Sequence, residues 1–369
     1  MRGLAMIIRP IQHNDLQALH EIARESGPGF TSLVDDRDYL EKKVRHAIDS
    51  FQRELHRPGD EHYLFVLEDE ATGDIMGTTG IEASAGDDRP LCHFRREAEP
   101  ASRSGSERLT RCTHYTGCTE ICSLYLRPRY RRANAGKLLS KVRFLFMAQN
   151  PHRFSATIIA EMRGVSDASG QSPFWNWLKT RSGHLDFATV TRLAGTATPE
   201  MLDALLPAEP LSTATMPTEA IRAIGQVHEQ TRPALKMLEA EGFRHRGFVD
   251  LFDAGPTVEA KLNEITSSRH STRCRVQIID DSMPAITRNH PGNRDNVMLI
   301  ANTAVSDFRA TVTTAAAWLP HHNLLSVPES LARQLGLSDG GMTCFLPLAT
   351  TGKAEANAHT NSSEVLYAH

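Results

Sequence analysis

The chain has 369 residues, with 41 Lys and Arg against 44 Asp and Glu, so no bulk basicity argues for nucleic acid or a membrane surface as partner. It holds no run of about 18 apolar residues, and no segment is expected to span a bilayer. The length allows two domains with sizeable cores and a third small unit, and six scattered cysteines fit a reduced, cytoplasmic setting.

The first segment, MRGLAMIIRP, reads as a strand over Met6–Pro10 rather than a signal peptide. An amphipathic helix follows over Asp15–Ala23, with Asn14 or Asp15 as its cap, then a Gly/Pro loop from Gly27 to Leu33. Leu40, Val44, Ile48 and Phe51 mark a second helix over Arg37–Leu55. Tyr63–Asp69 and Ile75–Ile81 form a hairpin about a turn at Gly73-Asp74. Gly86 to Ser106 is polar and charged, and reads as an inserted loop.

Ser123-Leu124-Tyr125-Leu126 is strand-like and breaks at Pro128. Five basic side chains then fall between Arg127 and Lys137, before a helix marked by Leu138, Leu139, Val142, Leu145 and Phe146. A strand, a basic loop and a helix N-terminus make an anion trap suited to a phosphorylated ligand, because backbone N–H groups and the helix dipole face the same point. The bland alternative is a solvated basic connection.

Ser155–Glu161 is a buried strand ending in Met162-Arg163-Gly164. Ser172-Pro173-Phe174-Trp175 starts a helix with proline just inside it. Thr231 caps a further helix that Gly242 stops, and Gly247–Asp253 alternates as a strand. From Val276 the chain turns β-rich, with strands near 297–301, 308–313 and 344–348 and one short helix from Pro328 to Gly336. The tail after Thr351 is polar and expected to be disordered.

The loop Arg131-Arg132-Ala133-Asn134-Ala135-Gly136 resembles the R/Q-x-x-G-x-G/A turn with which GNAT (N-acetyltransferase-like) folds wrap the pyrophosphate of an acyl-CoA. Asn134 stands in for the first glycine, and Asn best tolerates a left-handed backbone among the other residues. The order strand, two helices, hairpin is similar to the start of a GNAT domain. Gly27–Leu33, Tyr63–Asp69, Cys122–Met147, Glu161-Met162-Arg163-Gly164, Gly225-Gln226-Val227-His228 and Asp250–Thr257 together resemble the arginine N-succinyltransferase family, in family order over most of the chain.

That resemblance implies an α/β, GNAT-like acyl-CoA N-acyltransferase fold. Its expected parts are an N-terminal lobe over 6–150, a second α/β lobe over 151–260, a small β-rich unit over 270–350 and a tail over 351–369. It implies transfer of succinyl from succinyl-CoA to the α-amine of L-arginine, the first step of arginine catabolism to glutamate and succinate. No metal and no permanently bound cofactor are called for, and the chain would act as a homo-oligomer or paired with a homologous subunit. His228 falls on the family's proton donor and Leu124 on its succinyl-CoA contact, with Arg131, Arg132, Asn134, Ala135 and Gly136 forming the CoA turn. Glu161 and Arg163 either clamp the acceptor's guanidinium and carboxylate or pair with one another.

The chain departs from the family pattern over Leu91–Thr113 and around residues 180–213, where Arg181-Ser182-Gly183-His184 replaces aromatics and Thr191 an Asp. These departures leave ornithine or another amine open as acceptor, and also a non-catalytic, CoA-binding subunit. Cys112, His114, Cys118 and Cys122 have ligand types suited to zinc, at a spacing that matches no common zinc module. A Ser or Cys acyl-enzyme is a further option, although no Gly-x-Ser-x-Gly elbow is present.

Overall fold

The computed structural model describes residues 6–27, 30–87, 90–99, 105–131, 134–167, 170–181, 184–196, 201, 204–282 and 297–348. The expected tail lies outside the described residues. Two compact units are present: residues 1–269 with 304–309, and residues 270–303 with 310–369.

The first unit opens with β1 (Met6–Pro10), α1 (Leu16–Ser26), α2 (Arg37–Gln52), β2 (His62–Asp69) and β3 (Asp74–Glu82). Next come β4 (His93–Ala98), β5 (Glu107–Cys112), β6 (Thr119–Leu126), α3 (Ala135–Gln149), β7 (Thr157–Glu161), α4 (Pro173–Leu178) and α5 (Phe187–Thr196). It ends with β8 (Leu211–Ser212), α6 (Thr218–Ala223), α7 (Arg232–Glu241), β9 (Arg244–Val249), β10 (Pro256–Lys261) and α8 (Thr266–His270). Within this unit the strands run β1-β2-β3-β6-β7-β10-β9-β4-β5-β8. The boundary expected near residue 150 therefore falls between α3 and β7, inside one sheet and one compact unit.

Alternation along β2 decides the layers. Leu64 and Val66 pack against Leu19, Ile22, Leu40 and Val44 of α1 and α2. Tyr63 and Phe65 point the other way, to Phe146 of α3, with ring centroids 5.2 Å apart in both pairs. A second core gathers Phe94 and Leu109 of β4 and β5 with Phe174, Trp175, Trp177, Phe187 and Val190. Ser172 caps α4 by accepting the Trp175 N–H, with Pro173 in the first turn, as the sequence predicts.

Two segments differ from expectation. The loop expected over Gly86–Ser106 contains β4, which pairs with both β5 and β9. Only His93 and Phe94 of β4 are buried, and cross-strand charges such as Arg96–Glu107 at 2.8 Å line the rest, so apolar patterning misses it. The strand expected over Gly247–Asp253 stops at Val249. There the Asp250 carboxylate accepts the N–H groups of Phe252 and Asp253, at 2.7 and 2.8 Å, and turns the chain.

The second unit is β-rich: β11 (Thr272–Ile279), β12 (Val297–Asn302), β13 (Ala310–Thr313), β14 (Ala317–Leu319), β15 (Leu324–Pro328) and β16 (Met342–Leu348), with α9 (Glu329–Leu335). Its strands run β14-β15-β11-β16-β12-β13. Val276, Ile300, Leu325, Val327, Leu331, Leu335 and Phe345 form its core.

Candidate active site

The site is built where the central sheet comes apart. Along β3 and β6 the register pairs Glu82 with Glu120, Ile81 with Ile121 and Gly80 with Cys122, then resumes at Thr78 with Tyr125. Ser123 and Leu124 thus oppose Thr79 alone, a β-bulge, and Ser123 sits at φ 53° while Thr78 Oγ1 donates to its carbonyl at 2.9 Å. Glycine at position 77 permits the approach: a Cβ there would lie 2.4 Å from the Tyr125 carbonyl oxygen. β6 and β7 are parallel neighbours over only Thr119–Ile158 and Glu120–Ile159. β7 goes on pairing with β10 as far as Glu161, so beyond Glu120 the two strands part and Leu124, half-buried, borders the gap.

The continuation of β7 supplies the opposite wall. The Asp253 carboxylate accepts the N–H groups of Gly164 and Gly255, both at 2.7 Å, and the Met162 N–H bonds the Pro256 carbonyl. These contacts lie on the β10 side. Successive peptide groups of an extended segment face opposite edges, so the Arg163 carbonyl points to the β6 side. It accepts the His228 N–H at 2.9 Å, and Gly164 bridges Val227. The Gly225–His228 segment therefore takes the edge of β7 that β6 gives up. His228 is half-buried; its Nδ1 accepts the Gln230 N–H at 3.2 Å, which leaves the ring proton on Nε2. Burial first, then the Arg163 guanidinium, lowers its pKa from the ordinary 6.5, against a smaller opposing effect of Glu229.

The expected CoA turn sits where β6 feeds α3. Asn134 adopts the left-handed conformation, φ 69°, as N-cap of α3, with Ala135 buried and Gly136 half-buried in the first turn. Arg131 is exposed, whereas Arg132 lies outside the described residues. Arg127 is not part of the anion trap. It is buried and bonded to Glu25 and Glu21 of α1, at 2.5 and 3.0 Å. Arg127→Met should therefore cost about 1–3 kcal/mol, read as a lower melting temperature, without weakening CoA binding. Arg131→Met should do the reverse, and calorimetry with free CoA alongside a thermal melt separates the two.

Glu161 and Arg163 do not pair. Glu161 meets the fully buried His93, Oε1 to Nε2 2.6 Å, and Arg163 donates to Ser166 Oγ at 3.2 Å. Burial lowers the His93 pKa, but its bond to Glu161 and the Asp250 charge outweigh that and raise it. Across the sheet, Lys43 of α2 lies 3.5 Å from Glu82, and His62 3.6 Å. Burial with Lys43 nearby holds His62 neutral, down to about 4.

The four zinc-type side chains do not converge. His114 stacks on Phe248 at 4.6 Å, Cys112 and Cys118 pack about Tyr115, and Cys122 lies with His62 and Glu82, where the Lys43 ammonium opposes a cation. A cavity of about 420 Å³ lies between Gly27–Asp35 and α5, lined by Phe30, Thr191 and Arg192. A larger one, about 650 Å³, is walled by Arg9, Asp15, Glu21, Glu68 and Arg127. Its charges are matched within the chain, Arg9 bonding both Asp15 and Glu68.

Comparison with known proteins gives the family. A family model described as the arginine N-succinyltransferase beta subunit matches residues 6–267. The chain belongs to the arginine N-succinyltransferase family. A curated arginine N-succinyltransferase of Salmonella typhi is 36% identical over 84% of this chain and 89% of its own length. One from Yersinia pseudotuberculosis is 36% identical over 91% of this chain and 95% of its own. The solved structure of arginine/ornithine succinyltransferase subunit AI from Pseudomonas aeruginosa superposes with a TM-score of 0.82 at 31% identity. That match covers 94% of this chain and all of the other. The expected α/β fold is present and is that of the solved succinyltransferase subunit, and no helix among the described residues is long and apolar enough to cross a membrane.

Proposed function

We propose that the chain transfers the succinyl group of succinyl-CoA to the α-amine of L-arginine, in the cytoplasm, without a permanently bound cofactor. It would act as a homo-oligomer or beside a homologous subunit. The observation that carries this reading is the parting of β6 and β7, with a bulge at Leu124 on one edge and His228 on the other. The CoA phosphates would meet the N-terminus of α3 and Arg131, with Asn134, Ala135 and Gly136 allowing close approach. Arg132 completes the proposed set.

The amine nitrogen attacks the thioester carbon, the carbonyl π pair moves to oxygen, and the tetrahedral oxyanion collapses as the C–S bond breaks. Backbone N–H groups at the Ser123–Leu124 bulge are suited to the oxyanion. The His228 imidazolium is suited to give its Nε2 proton to the departing thiolate. The amine nitrogen loses one proton to solvent before attack and its second as the tetrahedral intermediate collapses, and the neutral imidazole takes a proton back from solvent. Because the protonated ring is the donor and burial with Arg163 lowers its pKa, the histidine-dependent part of kcat/KM should fall as pH rises through that lowered pKa, below 6.5. Removing the Arg163 charge lifts that depression, so Arg163→Met should move the fall to higher pH; an unmoved profile counts against the influence of Arg163 on His228.

The deciding experiment follows free thiol release from succinyl-CoA with an acceptor panel. Release with arginine, but not with acetyl-CoA or lysine, supports the reading; binding without turnover favours a non-catalytic subunit. Ornithine is the second acceptor to test, because the solved relative is described as an arginine/ornithine succinyltransferase.

A further inference from the structure

Three carboxylates meet on the α1–α2 face of the sheet beside the parted strands. Glu82 and Glu120 are in direct register on β3 and β6, and Glu161 stands two residues beyond Ile159, the β7 partner of Glu120. Residues in register share a face, and like charges directly opposed destabilise a sheet. Two of the three are answered within the chain: Lys43 serves Glu82 at 3.5 Å, and His93 serves Glu161 at 2.6 Å. Glu120 is half-buried and has no ion pair or hydrogen bond among the described residues. A second observation points to a missing ligand. Thr257 is fully buried and in register with Glu161, hence on the same face, and its hydroxyl has no partner; nor has Nδ1 of the fully buried His93.

Resting on the acyl-transfer reading above, we propose that Glu120, flanked by Glu82 and Glu161, receives the guanidinium of the acceptor. Glu120 precedes the Ser123 bulge by three strand residues, roughly 10 Å at about 3.3 Å per residue. An arginine whose α-amine faces the thioester at the bulge, its side chain extended back along β6, brings its guanidinium to Glu120. The planar, forked donor set of a guanidinium suits adjacent carboxylates as a compact ammonium or a neutral ureido group does not. Burial, with Glu161 and Glu82 beside it and Lys43 only partly offsetting them, raises the Glu120 carboxyl well above the usual carboxylate range. An arriving cation relieves that repulsion.

The test compares arginine with citrulline, its neutral isostere. In the wild-type protein kcat/KM should favour arginine strongly. Glu120→Gln should lower kcat/KM for arginine roughly 10- to 100-fold, the worth of a charge-assisted hydrogen bond. Citrulline turnover and the KM for succinyl-CoA should stay within about threefold. General damage would lower both acceptors alike, so an equal loss overturns the proposal, as does an unchanged KM for arginine. Should the Gln variant not fold, Glu120→Asp keeps the charge but withdraws it by one methylene; a raised arginine KM supports the proposal and an unchanged one overturns it. Calorimetric titration with arginine reads the site without turnover. A wild-type protein that binds arginine but acylates no acceptor sinks the acyl-transfer reading, whereas arginine binding that survives Glu120→Gln sinks this inference alone.

Discussion

Replacing His228 by alanine should lower kcat by about 10²- to 10⁴-fold, the range lost with a positioned proton donor, and leave the KM for succinyl-CoA within about twofold. The structure separates the two effects. The proposed CoA contacts lie on β6 and at the start of α3, whereas His228 is held from the other edge of the gap by its own backbone, through its N–H to the Arg163 carbonyl. That bond survives truncation of the ring. The imidazole contributes one described hydrogen bond to the fold, from the Gln230 N–H, and loss of a cap of this kind costs about 1 kcal/mol. A thermal melt should therefore move by only a few degrees while thiol release nearly stops. A variant retaining a third of the wild-type rate would remove His228 from the mechanism.

Gly255→Ala should be the most damaging single-methyl change at this site. A Cβ at Gly255 would lie 2.1 Å from the Met162 carbonyl oxygen and 2.6 Å from the Gly164 nitrogen, both backbone atoms in the paired wall of the gap. Neither can move without breaking the Met162–Pro256 and Gly164–Asp253 bonds. Overpacking of ordinary cores costs about 1–3 kcal/mol, and a backbone clash on this scale should reach or exceed the upper figure. The same displacement carries Arg163 and therefore His228, so activity should fall further than stability alone explains. Urea unfolding read beside residual turnover checks this. An unchanged midpoint with full activity would mean that the turn has slack the distances do not reveal.

Legibility in the sequence followed the range of the interactions. The β2–β3 hairpin, α3, the Ser172 cap and the Gly242 stop rest on neighbours within a few residues, and each stands where local chemistry puts it. The left-handed Asn134 was foreseeable because few other side chains tolerate that turn. Arg127 was not: its partners Glu21 and Glu25 are on α1, and nothing in the basic run distinguishes an arginine that turns inward. β4 and β5 were hidden because their charged residues pair across strands, a pattern with no apolar period. Glu120 did leave a signal, as the one charged side chain in β6, but its isolation becomes visible only when Glu82 and Glu161 are set beside it.

The interleaving of the sheet also bears on how the protein is made. On the β9 edge of β4, Phe94 finds its partner only at Val249, and on the β10 edge of β7, Glu161 finds Thr257. As the polypeptide leaves the ribosome, one side of β4 and one side of β7 must wait for most of the first unit to be synthesised, offering unsatisfied backbone to any passing strand in the meantime. A ribosome pausing between α3 and β9 would hold this chain in its most aggregation-prone form, so chaperone demand should track the speed of translation through that interval.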